Sequence, residues 1–505
     1  MSASELARAV REALDVDAEE FREEALTEAE QLKSDVRDGV FDNTQALIGL
    51  ELELYGVDAE TDALRRMSRQ LLGLIGFEKE LGLHNAEMQT SPQPLTEYGL
   101  IAQLKELQAH VAPAQERAAA EDLRLVADGM WTVPPVGETA GDYLTDHVEE
   151  EGTVLATNMS DAVRYHTMAN VDYPSGLKLD IPYVDLQAKT VMPESLITSI
   201  QPHYQVPHAP DLPEYFRYAL RVAGPLLALG VNSPFFPPDL YDDVPAGRVV
   251  ADAHMENRVG VFESVLNPPA GAPEEPKVCF PPDFDTVEDV IDDIAADGCI
   301  VPRKLSDDNR FDDRYRHFRH KHGSYWRWVR PVFDGATRSA ANARIEFRPL
   351  PAQPTLRDAV AFEAVFGGLM EHLPRQEHPV RDLDWETARA NFYAAVRDGL
   401  QADMNWITAD GAETAAIDEI CGELLEAARE GLESRGLETA EARQYVRPLR
   451  ERLDRRTTPA RWKHDHVRGS VAAGVPLAEA IWGMQAEYID TQRNTLVEGA
   501  FADWL

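Results

Sequence analysis

The segment Gly49-Leu50-Glu51-Leu52-Glu53-Leu54-Tyr55 alternates carboxylates with large apolar side chains. In an extended strand successive side chains point to opposite faces, so Glu51 and Glu53 share one face and Leu50, Leu52 and Leu54 the other. Paired acids on one face suit a divalent cation engaged in phosphate chemistry. An edge strand turned to solvent would show the same alternation. A second acidic stretch, Glu80-Leu-Gly-Leu-His84-Asn-Ala-Glu87-Met-Gln89, repeats the two-residue spacing at Glu87 and Gln89 before the turn signal Thr90-Ser91-Pro92. Two such strands can converge on Mg²⁺.

These acids must be weighed against a chain full of them. Asp and Glu number 88 against 49 Lys and Arg, a net charge of −39, and the basic residues are nine lysines and forty arginines. Such self-repulsion is tolerable where the screening length is about 3 Å, at molar salt, so the composition points to a salt-rich cytosol. Most carboxylates then serve solvation. The charge argues against nucleic acid or an anionic membrane as partner.

With 505 residues, 44% of them hydrophobic, the chain can bury a large core. No apolar run reaches the roughly 20 residues of a membrane span. The first residues, MSASELARAVREAL, read as an amphipathic helix without a signal-peptide core, so a cytoplasmic location is expected. Cys279, Cys299 and Cys421 lack metal-ligand spacing and read as free structural thiols.

The elements that would position the acids follow from periodicity and turn signals. Residues 1–44 are expected to form acidic amphipathic helix. Strands are expected at 45–58 and 83–91, with a helix at about 60–76 between them. Helices are expected near 95–110 and 115–122, a strand at 123–133, a strand at 196–206 and a long helix at 210–229. A Pro- and Asp-rich loop at 232–247, a short helix at 284–297 and a strand at 342–350 come next. From Thr355 the pattern is helical almost to Leu505. Mixed strands followed by helices indicate an α+β core with a helical C-terminal layer. Three parts are expected: 1–44, 45–400 and 401–505.

Several short motifs recur in a telling order: Gly49-x-Glu51-x-Glu53, Asn232-Ser-Pro-Phe-Phe236, Met255-Glu-Asn-Arg258, Trp328-Val-Arg330-Pro331, Arg344-Ile-Glu346-Phe-Arg348, Gln353-Pro-Thr355 and Asn391-Phe-Tyr-Ala394-Ala-Val-Arg397-Asp-Gly399. This ordering resembles the glutamate–cysteine ligase family, in its bacterial and archaeal carboxylate–amine ligase branch. The resemblance implies an antiparallel sheet curved into a funnel with helices outside, the glutamine-synthetase-like ligase core. It implies that ATP and Mg²⁺ bind in the funnel. There the γ-carboxylate of glutamate, activated as an acyl phosphate, would be joined to an amine, usually that of cysteine. It leaves the oligomeric state open.

By the same resemblance Glu51, Glu53, Glu80, Glu87 and Glu346 are metal-ligand candidates, and the strand Gln201-Pro-His203-Tyr-Gln205 would add His203 or Gln205. Arg348 and Arg330 are the candidates for catalysis. Arg258, Arg330 and Gln205 are the candidates for holding substrate carboxylate or phosphate, a task the planar arginine fork performs bidentately. Glu346 and Arg348 could instead be a cross-strand ion pair, and His203 a structural histidine. The basic and aromatic stretch from Arg314 to Trp328 would line an anion-binding mouth, and His464-Asp465-His466 would be solvated surface. Two departures fall near substrate recognition. Gly129-Met-Trp-Thr-Val133 stands where relatives tend to carry a Gly-Thr-His-Pro strand end, and Pro349-Leu-Pro-Ala stands where an Asp usually follows the Glu-x-Arg strand. A ligase with a different amine or acid, or a non-catalytic nucleotide-binding relative, would fit such departures.

Overall fold

The computed structural model describes residues 1–171, 176–269, 271–272, 274–305 and 309–505. The alternating segment forms β1, Leu47–Asp58, and the main sheet is built around it. The other seven strands are β2 (Glu78–Lys79), β3 (Asn85–Gln89), β4 (Gln93–Pro94), β5 (Leu123–Val126), β6 (Ile200–Val206), β7 (Val329–Asp334) and β8 (Asn342–Phe347). Their order is β7-β8-β6-β1-β3-β2, with β4 and β5 paired to the two ends of β1. Every pairing is antiparallel, and the sheet curls into a half-barrel, as expected for the funnel.

Helices cover the outside. The principal ones are α1 (Ala3–Leu14), α2 (Ala18–Arg37), α3 (Glu97–Ala119), α4 (Leu212–Gly230), α5 (Asn257–Leu266), α6 (Leu356–His372), α7 (Trp385–Asp398), α8 (Ile417–Ser434), α9 (Thr439–Arg455), α10 (Pro459–Ala472) and α11 (Leu477–Thr495). Leu50, Leu52 and Leu54 are at most 2% exposed on the face turned away from the acids. Helix α6 covers that face, with Phe366 stacked on Phe347 of β8 at 4.6 Å and the Tyr204 hydroxyl of β6 donating to Glu371 at 2.8 Å. Helix α8 crosses α6 at glycines, since a Cβ on Gly431 would overlap the carbonyl oxygen of Gly368. The later helices are tied to the core by buried polar pairs: Arg452 meets Asp358 at 2.6 Å with both side chains fully buried, and Asp128, just beyond β5, accepts from Lys463 and Gln485. Buried charge of this kind is stable only when paired and hydrogen-bonded.

Several expected elements differ. The helix at 60–76 shrinks to Arg69–Ile75, capped by Ser68. The Asp58 carboxylate takes the backbone N–H of Glu60 and Thr61, which turns the chain back so that Leu64 bridges to Val57. The two helices near 95–122 are one, α3, because Val111, Ala114 and Ala118 keep a buried stripe running past Pro113. The strand at 123–133 ends at Val126. Strand β7 and the hairpins His147–Glu150 with Thr153–Ala156 and Lys178–Ile181 with Val184–Gln187 were not expected. Residues 1–44 hold two helices, and α2 anchors part of the basic stretch: Glu28 accepts from the backbone N–H of His317 and Phe318, and Asp35 from Tyr315. His464 is not solvated surface. It is 8% exposed, its Nε2 lies 2.9 Å from the Val250 carbonyl, and its ring stacks on Phe235. Among the described residues no helix is long and apolar enough to cross a membrane.

Candidate active site

Residues directly opposite in an antiparallel pair share a face, so the register of the sheet arranges the polar face in three cross-strand rows. Glu78, Glu87 and Glu53 form the first, across β2, β3 and β1. Gln89, Glu51 and Gln201 form the second, across β3, β1 and β6. Gly49, His203, Glu346 and Arg330 form the third, across β1, β6, β8 and β7. Gly49 contributes no side chain, and a Cβ there would meet nothing within 4 Å, so the third row is open beside His203.

At the β8 end, Arg330 Nη2 reaches both oxygens of Glu346 at 2.8 and 2.7 Å. Arg348 Nη1 reaches Glu346 at 2.5 Å and Gln201 Oε1 at 2.9 Å. Burial opposes ionisation of Glu346, but the two guanidinium groups outweigh it and hold its carboxyl well below the usual range. His203 Nε2 is buried without a hydrogen-bond partner, 3.5 Å from Glu51 and 4.0 Å from Glu346. Burial, with Arg344, Arg330 and Arg348 nearby, pushes this imidazole down to about 3, so it is neutral. One ligand atom from each of Glu51, His203 and Glu346 lies within 4.8 Å of the others. Two carboxylates and an orphaned imidazole nitrogen fit a divalent cation that prefers oxygen and imidazole donors.

At the β3 end the acids face one another. Glu53 is held by Ser199, through the backbone N–H at 2.7 Å and the hydroxyl at 2.8 Å, and by Gln201 at 3.3 Å. Glu80 accepts from the Tyr165 hydroxyl at 3.0 and 3.1 Å, and Glu87 from Gln89 at 3.1 Å. Burial first, and then the neighbouring carboxylates, raises Glu51, Glu53 and Glu80 above the usual range and pushes Glu87 up to about 8. Glu194, from the 3-10 turn Met192–Leu196, joins them and is also pushed up to about 8 by burial and by Glu80 and Glu53. Converging half-buried acids disfavour one another's charge unless a counter-charge is near, and a second divalent cation would supply one.

Three cavities open from this face. An acidic cleft of about 290 Å³ is lined by Glu51, Glu53, Glu80, Glu87, Glu194 and Arg348. Beyond Glu51 and His203 lies a cavity of about 510 Å³ whose walls include Leu47, Ile48, Pro92, Arg310 and Arg344. On the far side, past Arg164, lies a third of about 590 Å³.

The structure brings the six candidate ligands Glu51, Glu53, Glu80, Glu87, His203 and Glu346 to one face, with Arg330 and Arg348 among them. Arg258 sits beside the cleft, 4% exposed, donating to the Arg348 carbonyl at 2.7 Å and lying 5.2 Å over the Trp328 ring, with its Nε 3.9 Å from Glu256. Gln205 is on the same face but spends its amide N–H on the carbonyls of Asn43 and Gln45. Sequence reasoning did not single out Glu194, Gln201, Ser199 or Tyr165. Glu194 had a signal, an acid in the apolar run Val191-Met-Pro-Glu-Ser-Leu196. Tyr165 had none, because the chain reaches Glu80 from a distant segment. Met130 and Trp131, at the altered strand end, are 1% exposed; Trp131 Nε1 donates to the Ser195 carbonyl, so this pair lies behind the site wall.

The model of the glutamate-cysteine ligase family 2 matches residues 47–492. No curated protein matches the sequence. In structure the chain is similar to a glutamate–cysteine ligase from Francisella tularensis in complex with AMP, with a TM-score of 0.53 at 16% identity, over 92% of each chain. It is also similar to a bifunctional glutathione synthetase from Pasteurella multocida, with a TM-score of 0.52 at 15% identity, over 92% of this chain and 55% of the other. These likenesses bear out the glutamine-synthetase-like fold.

Proposed function

The chain belongs to the glutamate-cysteine ligase family 2, and from that membership we propose that it is an ATP- and Mg²⁺-dependent ligase forming a γ-glutamyl amide, with cysteine as the first candidate amine. The observation that carries the reading is the trio Glu51, His203 and Glu346, with ligand atoms inside 4.8 Å, set beside two arginines. In this reading Glu51, His203 and Glu346 hold one cation and Glu53, Glu80 and Glu87 another. Bound Mg²⁺ supplies charge neutralisation for phosphoryl oxygens. The apolar walls and arginines of the cavity beyond His203 receive the nucleotide, consistent with the AMP held by the Francisella tularensis protein of similar fold.

The chain's own groups then have definite tasks. Glu346 fixes Arg330 and Arg348 in the lining of the cleft, where their guanidinium groups would meet anionic oxygens. Ser199 and Gln201 fix the rotamer of Glu53. Arg258 and Arg348, which line a small pocket together with Glu194, mark where a substrate carboxylate would be held.

The test is ADP release by the full chain in molar salt with Mg²⁺ and ATP, glutamate present or absent, across a panel of amines. Cleavage that requires glutamate, giving γ-glutamylcysteine, ADP and phosphate in equal amounts with cysteine, is the expected result. Product with another amine alone overturns the cysteine assignment. No ATP cleavage with any acid and amine pair overturns the ligase reading.

A further inference from the structure

The third cavity runs against the composition of the chain. Acids outnumber bases 88 to 49 overall, yet its lining brings together Arg164, Arg303, Lys304, Arg316 and Arg319, with Asp313 as its acid. Arg319 is ion-paired with Asp312 at 2.9 Å, and Lys304 lies 3.6 Å from Asp15. Arg303 and Arg316 have no ion-pair partner among the described residues, and Arg303 Nε is buried without a hydrogen bond. Burial first, and then the charge of Arg164, lower the Arg303 guanidinium. Among the described residues no acid is paired with Arg303 or Arg316. An anion entering the cavity would supply the counter-charge.

The cavity adjoins the acidic cleft, sharing Arg164, Met168 and Gly323 with it. Arg164 lies 4.0 Å from Glu80. The nucleotide cavity adjoins the opposite end, at Glu51, Gln89 and His203. In amide formation from an acyl phosphate the amine nitrogen adds to the acyl carbonyl and gives up a proton, and the tetrahedral intermediate collapses with C–O cleavage, phosphate leaving with the electron pair. With the nucleotide at the Glu51 end, the Glu80 end is the approach left for the amine. A volume of about 590 Å³ has room for a substituent that extends past the reacting nitrogen.

We propose that the basic cavity is an anion subsite for the amine substrate, so that, within the ligase reading, the preferred amine carries a carboxylate or phosphate to be seated between Arg303 and Arg316, and cysteine is preferred only if its α-carboxylate reaches that far. This rests on the ligase reading for the identity of the occupant, and on the cavity alone for anion binding.

The experiment has two independent readouts on wild type and on the full chain carrying R303A and R316A, both at partly exposed positions outside the catalytic face. The first is calorimetric binding of succinate and of inorganic phosphate without ATP. The second is the KM for a graded series of amines: cysteamine, cysteine, aspartate and phosphoserine. The expected result is anion binding that weakens about tenfold or more in the double variant, the order of one lost charge-assisted contact. The KM for aspartate or phosphoserine should rise by a similar factor, while that for cysteamine stays unchanged. Aspartate against phosphoserine tells a carboxylate from a phosphate. Equal anion binding by the two proteins overturns the subsite. Weakened binding without any ATP cleavage supports the subsite and overturns the ligase reading instead. Turnover with cysteamine at a KM as low as for the anionic amines overturns the assignment to the amine. R303K with R316K should restore part of the binding, which separates lost charge from misfolding.

Discussion

At the β8 end of the site Glu346 lies between Arg330 and Arg348 and stays ionised, whereas at the β3 end Glu53, Glu80, Glu87 and Glu194 face one another, and Arg164, 4.0 Å from Glu80, with Arg258 and Arg348 beside Glu53 and Glu194, offsets their burial and mutual repulsion only in part. The same sheet therefore holds two kinds of acid. One is compensated by fixed cations supplied by the fold and keeps its charge whatever is bound. The other is compensated only in part: Glu87 and Glu194, pushed up to about 8, hold protons at neutral pH that a bound cation would displace. A site whose net charge at one end is set by the fold and at the other by its ligands can hold anionic phosphate and cationic metal side by side. It also predicts that mutations at the two ends will differ in stability even where they agree in activity.

Glu346→Gln and Glu53→Gln are the sharpest pair for breaking this comparison. Each removes a candidate ligand at nearly constant volume, and each should lower ATP turnover by at least about a hundredfold, as loss of a transition-state electrostatic group does. Glu346→Gln also strands two buried guanidinium groups, so it should cost on the order of 3–5 kcal/mol of stability. Glu53→Gln removes a carboxyl already disfavoured by its neighbours and should leave the melting temperature unchanged or higher. Turnover and thermal melts of both variants in molar salt decide it. Equal melting temperatures would mean that the two ends are not differently compensated.

How much of this could be read from the sequence follows from where each interaction is local. Glu51 and Glu53, Glu87 and Gln89, and Glu346 and Arg348 are i,i+2 pairs within one strand, so alternation alone puts each pair on one face. That the three pairs meet requires the order β8-β6-β1-β3, which no local spacing encodes; the family resemblance supplied it. The tertiary partners stayed hidden. Ser199 reaches Glu53, and Tyr165 reaches Glu80, across long stretches of chain. The helix expected at 60–76 failed for a local reason, the Asp58 turn, which competes with helix in the same residues. The buried role of Met130 and Trp131 was illegible because their neighbours, His84, Tyr143 and Ser195, come from three other segments.

Arg348→Lys tests the compensated end more gently. Lysine keeps the charge but cannot bridge Glu346 and Gln201 with a planar fork while offering a further N–H to a ligand. Turnover should fall roughly tenfold, less than in either carboxylate variant, with stability within about 1 kcal/mol of wild type. Wild-type rates in this variant would make Arg348 a counter-ion to Glu346 and nothing more.

The smallest effect belongs to the partly compensated end and is read as a pH slope. The Glu87 carboxyl sits at about 8 in the folded protein against an ordinary value of 4.5. Below the ordinary value it is protonated in folded and unfolded chains alike and has no influence on the pH dependence of stability. As pH rises from there through 8, the unfolded chain releases a proton that the folded chain retains, so folding becomes progressively less favourable. Without divalent cations, and with molar monovalent salt held constant, the thermal stability of wild type should decline between about pH 5 and pH 8 by an amount on the order of 1–3 kcal/mol. Glu87→Gln removes the titrating group and should flatten the decline, although Glu194, shifted the same way, will leave a residual slope. Adding Mg²⁺ to wild type should flatten it too, with protons released as the cation binds, because a bound cation favours the ionised carboxylate. A slope unchanged by Glu87→Gln, or insensitive to Mg²⁺, would place the counter-charge of this end in the fold itself and erase the contrast with Glu346.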